Sequence, residues 1–234
     1  MYEVMLNHIQ KENCDGAACS AFFESANKSE IRKQYQFAVF KQPELLRATL
    51  EGILHPHMWR LLMKQSVWKN MYFKPEYRRS EDWEILPRLL RNCTSLITLP
   101  TPLYHYRLNE SSITHQSRTL HSRYQDFVLC RDRLQFCRTI FPASIDWNRN
   151  KTIALALSNL RYIIKEKQES TCDAQDMLAF LQEEIQLPLT GLSFKTKFHL
   201  LTYFYARPLF CLYTKFFFWN RARVDNRRNK NLHS

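Results

Sequence analysis

The stretch SEDWEILPRLLRNCTSLITLPTPLYHYR, residues 80–107, decides the fold class of this chain. It opens with a serine and two acidic residues. This pattern is typical of a helix start, because serine caps free amides and acidic side chains complement the helix dipole. Leucines at helical spacing continue the helix, which Pro87 must start, kink or split. Residues 96–99 and 103–107 follow as two predicted strands on either side of a proline-containing break. The stretch therefore predicts an α/β fold.

The chain before this stretch consists of short apolar segments between polar ones. Residues 17–23 predict a buried strand, and residues 25–34 predict a polar loop. The other predicted elements are a helix at 1–11, a short strand at 37–40, and helices at 43–54 and 57–67. The first half of the chain is thus predicted to combine helices with a few short strands.

After about residue 116 the sequence changes to long helical patterns. Leucine and isoleucine stripes predict helices at 118–139, 151–166 and 172–185. Pro188 and Gly191 mark a break, after which an amphipathic aromatic helix and a basic tail are expected. We therefore predict three segments, at residues 1–116, 117–190 and 191–234.

The composition restricts the possible functions. Only three glycines occur, at scattered positions, and this excludes the glycine-rich phosphate loops of nucleotide-binding folds. The net charge of +12 favours an anionic partner. Seven cysteines occur without a CxxC spacing, and the first ten residues show no leader pattern. These features lead us to expect a reducing, cytoplasmic location and no metal site.

An ordered series of motifs runs through residues 59–114. In chain order they are Trp59-Arg60-Leu61-Leu62, Phe73, Glu81-Asp82-Trp83, Leu89-Leu90, Ile97, Leu103-Tyr104-His105-Tyr106-Arg107 and Ser112-Ile113-Thr114. In order and spacing this series resembles the C-terminal half of the catalytic domain of glycosyltransferase family 2. Residues 1–6 are similar to the helix that follows the metal-binding Asp-x-Asp segment of that family. The resemblance implies an incomplete GT-A-like catalytic half, followed by a mainly α-helical C-terminal extension.

The resemblance implies a sugar transfer in cell-surface polysaccharide or glycolipid synthesis. Enzymes of this type move a sugar from a nucleotide-sugar donor to an acceptor hydroxyl with inversion. They need a base beside the hydroxyl and a divalent cation, Mg²⁺ or Mn²⁺, on the leaving diphosphate. By resemblance, Asp82 is the base and Glu81 supports it. The alternative is that both carboxylates only cap the helix, whose N-terminus is expected to lower the pKa of Asp82.

The resemblance also implies what this chain does not supply. The nucleotide-binding strands and the Asp-x-Asp motif would precede Met1. We therefore expect the chain alone to bind neither the nucleotide-sugar nor the cation, and to be inactive by itself. Either the chain is a truncated product, or a separate polypeptide supplies the donor-binding half.

Three further residues are candidates for binding the acceptor, which would be a sugar or a lipid-linked sugar. Trp83 and Tyr106 can stack on the apolar face of a sugar ring, and Arg107 can hold a phosphate or carboxylate bidentately. Packing in the core is the alternative for the aromatic residues, and a surface ion pair is the alternative for Arg107.

The aromatic segment at residues 194–219 is the candidate for membrane contact. Arg207 and Lys215 make a membrane span marginal, because a central charge opposes insertion. One helical stripe is formed by Phe194, Phe198, Leu201 and Tyr205. This stripe predicts a helix that lies in the membrane interface or docks on the domain, with the basic tail meeting anionic headgroups. We expect peripheral contact with the inner membrane face.

A second class of function also fits the charge. A non-catalytic basic helical module would bind an anionic membrane surface or nucleic acid in a salt-dependent way. Such binding would survive the change Asp82→Asn and vanish when residues after Asn220 are deleted. The sequence contains no ordered motif for base recognition, so nucleic acid is not the expected partner.

Overall fold

A mixed sheet of five strands organises the first half of the chain in the computed structural model. The described residues are 1–25, 28–32, 34–77, 80–108 and 119–230, the last seven by backbone only. The strands are β1 (Gly16–Ser25), β2 (Lys28–Ile31), β3 (Ala38–Lys41), β4 (Leu61–Met63) and β5 (Ser95–Arg107). Their order is β2-β1-β5-β3, and β4 pairs with the start of β1. The central pair β1–β5 is parallel, and the other pairs are antiparallel.

Two prolines interrupt the hydrogen bonding of the central strand pair. Pro100 and Pro102 lie within β5 and have no amide hydrogen to donate to β1. The β1–β5 register shifts on both sides of Ser20. The Ser20 hydroxyl donates to the Leu99 carbonyl at 3.2 Å and accepts from the Tyr35 amide at 2.9 Å. The buried Ser20 side chain thus links β1 to β5 where the ladder is irregular.

Helices cover both faces of the sheet, as strand alternation requires. Helix α1 (Tyr2–Lys11) buries Met5 and Ile9 together with Ala17 and Ile97. Helices α2 (Glu44–Leu50) and α3 (Glu81–Arg91) bury leucines against the opposite face, around Leu96. The sheet therefore has two separate apolar clusters, one on each face.

Five helices make up most of the remaining chain. They are α4 (Leu120–Thr139), α5 (Ile145–Lys165), α6 (Cys172–Ile185), α7 (Phe194–Tyr205) and α8 (Arg207–Lys230). Their shared core includes Phe127, Leu157, Met177, Leu200 and Phe210. The chain falls into two compact units, residues 1–118 with 135–144 and residues 119–134 with 145–234. None of the described helices is long and apolar enough to cross a membrane.

The α/β fold predicted from the sequence is confirmed, but three local predictions were wrong. Part of the predicted loop at 25–34 is strand β2, which pairs with β1 as a hairpin. The helix predicted at 57–67 is two short 3₁₀ turns around strand β4. The two strands predicted around the prolines are one strand of 13 residues, β5, because side chains such as Ser20 bridge the interruption.

Candidate functional site

The carboxylate of Asp82 contacts a segment other than its own helix. Asp82 lies in the first turn of α3, half-buried, and its Oδ2 accepts a hydrogen bond from the Met58 amide at 3.3 Å. The first amide bonds of α3 are instead accepted by a backbone oxygen, the Ser80 carbonyl, which receives Trp83 and Glu84. Among the described residues, no hydrogen bond from its own helix supports the interpretation of Asp82 as a simple cap.

Burial raises the pKa of Asp82 to about 6. The Met58 amide acts in the opposite direction, and the neighbouring Glu81 carboxyl raises the pKa further. The expectation that the helix N-terminus would lower this pKa was therefore wrong, because desolvation outweighs the dipole. One carboxyl oxygen of Glu81 is also buried and has no hydrogen-bond partner among the described residues. Desolvation therefore affects the half-buried carboxyl of Asp82 and one carboxyl oxygen of Glu81.

Aromatic rings on both sides of Met58 in the sequence extend the site. Trp59 stacks with His57 at 5.1 Å between ring centroids, with Tyr104 at 4.5 Å and with Tyr106 at 5.2 Å. Tyr106 also contacts Phe23, at 5.3 Å. We call these five residues the aromatic ladder. Because Asp82 binds the amide between His57 and Trp59, the carboxylate lies beside the ladder.

Arg60 is a fully buried cation at the inner side of the same segment. Its Nε donates to the Cys19 carbonyl at 2.7 Å, at the irregular part of β1, and its guanidinium lies 4.5 Å from the Tyr35 ring centroid. Both terminal nitrogens have no hydrogen-bond partner among the described residues. Burial lowers the pKa of Arg60, and among the described residues its charge is compensated by the Cys19 carbonyl and by cation–π contacts with Tyr35 and Trp59.

The structure separates the predicted site residues. Asp82 and Tyr106 are connected through Met58 and Trp59, and Glu81 and Trp83 lie next to Asp82 in the first turn of α3. Arg107 is exposed and follows Tyr106 on β5, so its side chain points to the opposite face of the strand. On that face His105 lies 2.6 Å from a carboxyl oxygen of Glu24.

Sequence reasoning missed His57 as a member of the site and assigned no role to Arg60. The sequence predicted a single helix over residues 57–67, whereas His57 has an extended backbone and Met58–Arg60 forms a short 3₁₀ turn. The stacking of His57 on Trp59 depends on this turn, which the apolar spacing of the segment did not indicate.

The described residues do not fit a donor cation site. They contain no group of three or more His, Cys, Asp or Glu side chains that could hold a metal ion. Near Asp82 the described acidic partner is Glu81, which is adjacent in sequence.

Neither models of known protein families nor curated protein sequences match this chain. The resemblance to glycosyltransferase family 2 therefore stays a prediction.

Proposed function

We propose that the first unit is the acceptor side of an inverting glycosyltransferase that uses a nucleotide-sugar, with Asp82 as the base. The observation that carries the proposal is a half-buried carboxyl of pKa about 6, fixed by the Met58 amide beside the aromatic ladder. Perturbed acids next to aromatic surfaces occur preferentially at functional sites. The acceptor would be a sugar or a lipid-linked sugar, at the cytoplasmic face of the membrane.

The raised pKa suits the role of a base. At neutral pH the carboxyl is mostly ionised, and it holds a proton more strongly than an exposed aspartate does. The Met58 amide occupies Oδ2, so Oδ1 is the oxygen that accepts the proton of the acceptor hydroxyl. Glu81 keeps the proton affinity of Asp82 high through like-charge repulsion.

The aromatic ladder is the proposed binding surface for the sugar. Sugar rings have an apolar face that packs on aromatic rings, and the hydroxyls of Tyr104 and Tyr106 offer hydrogen bonds at the ring edge. Trp59 fixes both tyrosines by stacking. Trp83 remains a proposed contact of the acceptor. Arg107 would reach an acidic group only from the other face of β5.

The first experiment tests acceptor binding by the full chain. Saturation-transfer NMR against a panel of mono- and disaccharides should detect at least one binder. Binding should be lost in Tyr106→Ala and retained in Asp82→Asn, because a base is not needed for binding. Glu76→Gln is a matched control, since Glu76 is an exposed acid of the same unit outside the site. A panel without any binder would overturn the proposal.

The second experiment tests the chemistry. The chain is fused to a donor-binding half, and transfer from a panel of nucleotide-sugars with Mg²⁺ or Mn²⁺ is measured. Asp82→Asn should lower turnover by at least about a hundredfold, the usual contribution of a general base. The Glu76→Gln control should leave turnover unchanged. Equal turnover in Asp82→Asn and the unmodified chain would remove Asp82 from the mechanism.

A further inference from the structure

Helix α7 exposes a stripe of aromatic and leucine side chains. Its inward side is already occupied, by the core residues Leu200 and Tyr203 and by buried polar residues, Thr196, His199 and Thr202. The outward stripe is formed by Phe194, Phe198, Leu201 and Tyr205, all exposed. Phe194 is 84% exposed and Tyr205 is 74% exposed. Because an exposed stripe of large apolar side chains is unusual on a water-soluble unit, it indicates a partner on the outer side.

Helix α8 also exposes a stripe of large apolar side chains. Its exposed large side chains recur at intervals of three and four residues, as one helical face requires. They are Leu209, Leu212, Phe216 and Trp219. Together with the outward stripe of α7, these side chains form what we call the α7–α8 face. Eight large apolar side chains are a far larger exposed set than isolated surface leucines would be.

Contacts inside the second unit fix the orientation of α8. The guanidinium of Arg161 on α5 lies 5.1 to 5.6 Å from the ring centroids of Phe210, Tyr213 and Phe217. Phe210 and Thr214 are buried on the same inward side. Tyr162 contacts the Phe218 ring at 5.0 Å. The outward position of the apolar stripe therefore follows from an occupied inner side.

The charge of the α7–α8 face has a single sign. Residues 193–223 contain no Asp or Glu and six basic residues, Lys195, Lys197, Arg207, Lys215, Arg221 and Arg223. The guanidinium of Arg223 lies 5.4 Å from the ring centroid of Trp219. Tryptophan next to basic side chains is typical of the boundary between lipid headgroups and acyl chains.

We propose that the α7–α8 face docks on an anionic membrane, with both helices in the plane of the interface. The outward aromatic and leucine side chains enter the headgroup boundary, and the basic residues pair with lipid phosphates. A second copy of the chain is disfavoured as the occupant, because two faces of the same positive charge would repel each other. A nucleic acid would pair with the charge and leave most of the apolar stripe in water.

The test uses co-sedimentation of the full chain with lipid vesicles. One set of vesicles is pure phosphatidylcholine, and the other contains about one third phosphatidylglycerol, which is anionic. We expect binding to the anionic set that weakens with added salt. The double change Phe216→Ser with Trp219→Ser should lower the partition coefficient at least about tenfold. Its matched control is Ile53→Ser with Tyr72→Ser, which removes two exposed apolar side chains from the first unit and should change nothing.

Several results would overturn the proposal. They are failure to bind anionic vesicles, equal binding to both vesicle sets, or equal binding by the Phe216/Trp219 variant and the control. A dimer in sedimentation velocity that the Phe216/Trp219 change dissociates would make a second copy the occupant. Tighter binding to a single-stranded oligonucleotide than to anionic vesicles at equal salt would favour nucleic acid. Asp82→Asn should bind vesicles normally, so the outcome is independent of the glycosyltransferase proposal.

Discussion

Helices α3 and α7 have nearly equal lengths, 11 and 12 residues, but they distribute their side chains in different ways. Helix α3 buries Leu86, Leu89 and Leu90 against the sheet, and its buried acid Glu84 is paired with Arg88 at 2.7 Å. Helix α7 buries Leu200 and Tyr203 together with threonine and histidine, and it exposes a second apolar stripe. The large apolar side chains of α3 are covered within its own unit, whereas the outward stripe of α7 stays exposed.

The inward polar residues of α7 are tolerated because local hydrogen bonds serve most of them. The Thr202 hydroxyl donates to the His199 carbonyl at 3.1 Å, and the Ser193 and Thr196 hydroxyls lie 2.9 Å apart. The exception is Nδ1 of His199, which is buried and has no partner among the described residues. Helix α7 thus has one buried polar atom without a hydrogen bond on its inner side, among the described residues.

The largest expected effect is a difference in the free energy of unfolding between substitutions of a buried and of an outward apolar residue. Leu89→Ala on α3 should lower the free energy of unfolding by about 3 kcal/mol, because it leaves a cavity in a fully buried cluster. Phe194→Ser on α7 should change it by less than about 0.5 kcal/mol. Urea denaturation of both variants measures the difference. A comparable loss in Phe194→Ser would mean that the outward side of α7 is packed in solution.

The second prediction concerns His199. Burial, together with the positive charges of Arg161 and Lys195, lowers its pKa from 6.5 to about 4. Between pH 6.5 and 4 the unfolded chain therefore binds the proton and the folded chain does not. The contribution of His199 to the free energy of unfolding is therefore fully present above pH 6.5. As the pH falls, about 2 kcal/mol of this free energy is lost. In denaturation measured from pH 7 to 4.5, His199→Gln should remove this contribution, so that its stability falls less with decreasing pH than that of the unmodified chain. An unchanged pH dependence would contradict the assignment.

The third prediction is that Asp82 changes the free energy of unfolding in the opposite direction to His199, over a similar pH range. Its folded pKa of about 6 lies above the ordinary value of 3.8, so the folded chain keeps the proton longer. Asp82 therefore destabilises the fold increasingly as the pH rises from about 4 to 6. At pH 7, Asp82→Asn should raise the free energy of unfolding by about 1 to 2 kcal/mol, a value reduced for partial exposure.

Asp15 is the control for the Asp82 prediction. Burial raises the pKa of Asp15, but hydrogen bonds from Thr94 and Lys64 outweigh it and lower the pKa overall. Asp15→Asn should therefore destabilise the fold at pH 7, the reverse of Asp82→Asn. If both changes were destabilising, the carboxylate of Asp82 would stabilise the fold. This result would contradict the proposal that Asp82 is a functional acid kept at a cost in stability.

The smallest expected effect concerns the start of α7. The Ser193 hydroxyl accepts the Thr196 amide at 3.2 Å, which is an N-cap bond. Ser193→Ala should lower the free energy of unfolding by about 1 kcal/mol, whereas Ser193→Asn should keep it because asparagine caps equally well. Thermal unfolding of the two variants compares them. Equal losses would show that α7 does not depend on its cap.

The sequence correctly predicted the elements that have a simple local pattern of apolar residues. The leucine stripes of α4, α5 and α6 and the apolar run of β1 predicted helix and strand correctly. The stripe of Phe194, Phe198, Leu201 and Tyr205 was also identified, but the sequence could not tell whether it faces the core or solvent. The orientation of such a helix depends on which of its sides the neighbouring helices cover. For α8, the contact of Arg161 on α5 with Phe210 identifies the inner side.

The incorrect predictions depended on long-range contacts. Residues 57–67 contain apolar side chains at helical spacing, but Leu61–Met63 pair with β1 as strand β4, with a 3₁₀ turn on each side. Next to the prolines of β5, the two strands are linked by Ser20, about 80 positions earlier, whose hydroxyl donates to the Leu99 carbonyl. The pKa of Asp82 was expected to fall because the sequence indicates the helix start but not the burial. Local patterns therefore predicted α3 but not the environment of its first turn.

The parallel pairing of β1 with β5 also has a consequence for synthesis of the chain. Gly16 pairs with Leu96, so β1 emerges from the ribosome 80 residues before its central partner. At a translation rate of about 5–20 residues per second, the apolar strand waits for several seconds with one edge open. Its hairpin with β2 can form at once and closes only the other edge. Nascent chains that end before β5 should therefore recruit chaperones through β1, and chains that include it should release them.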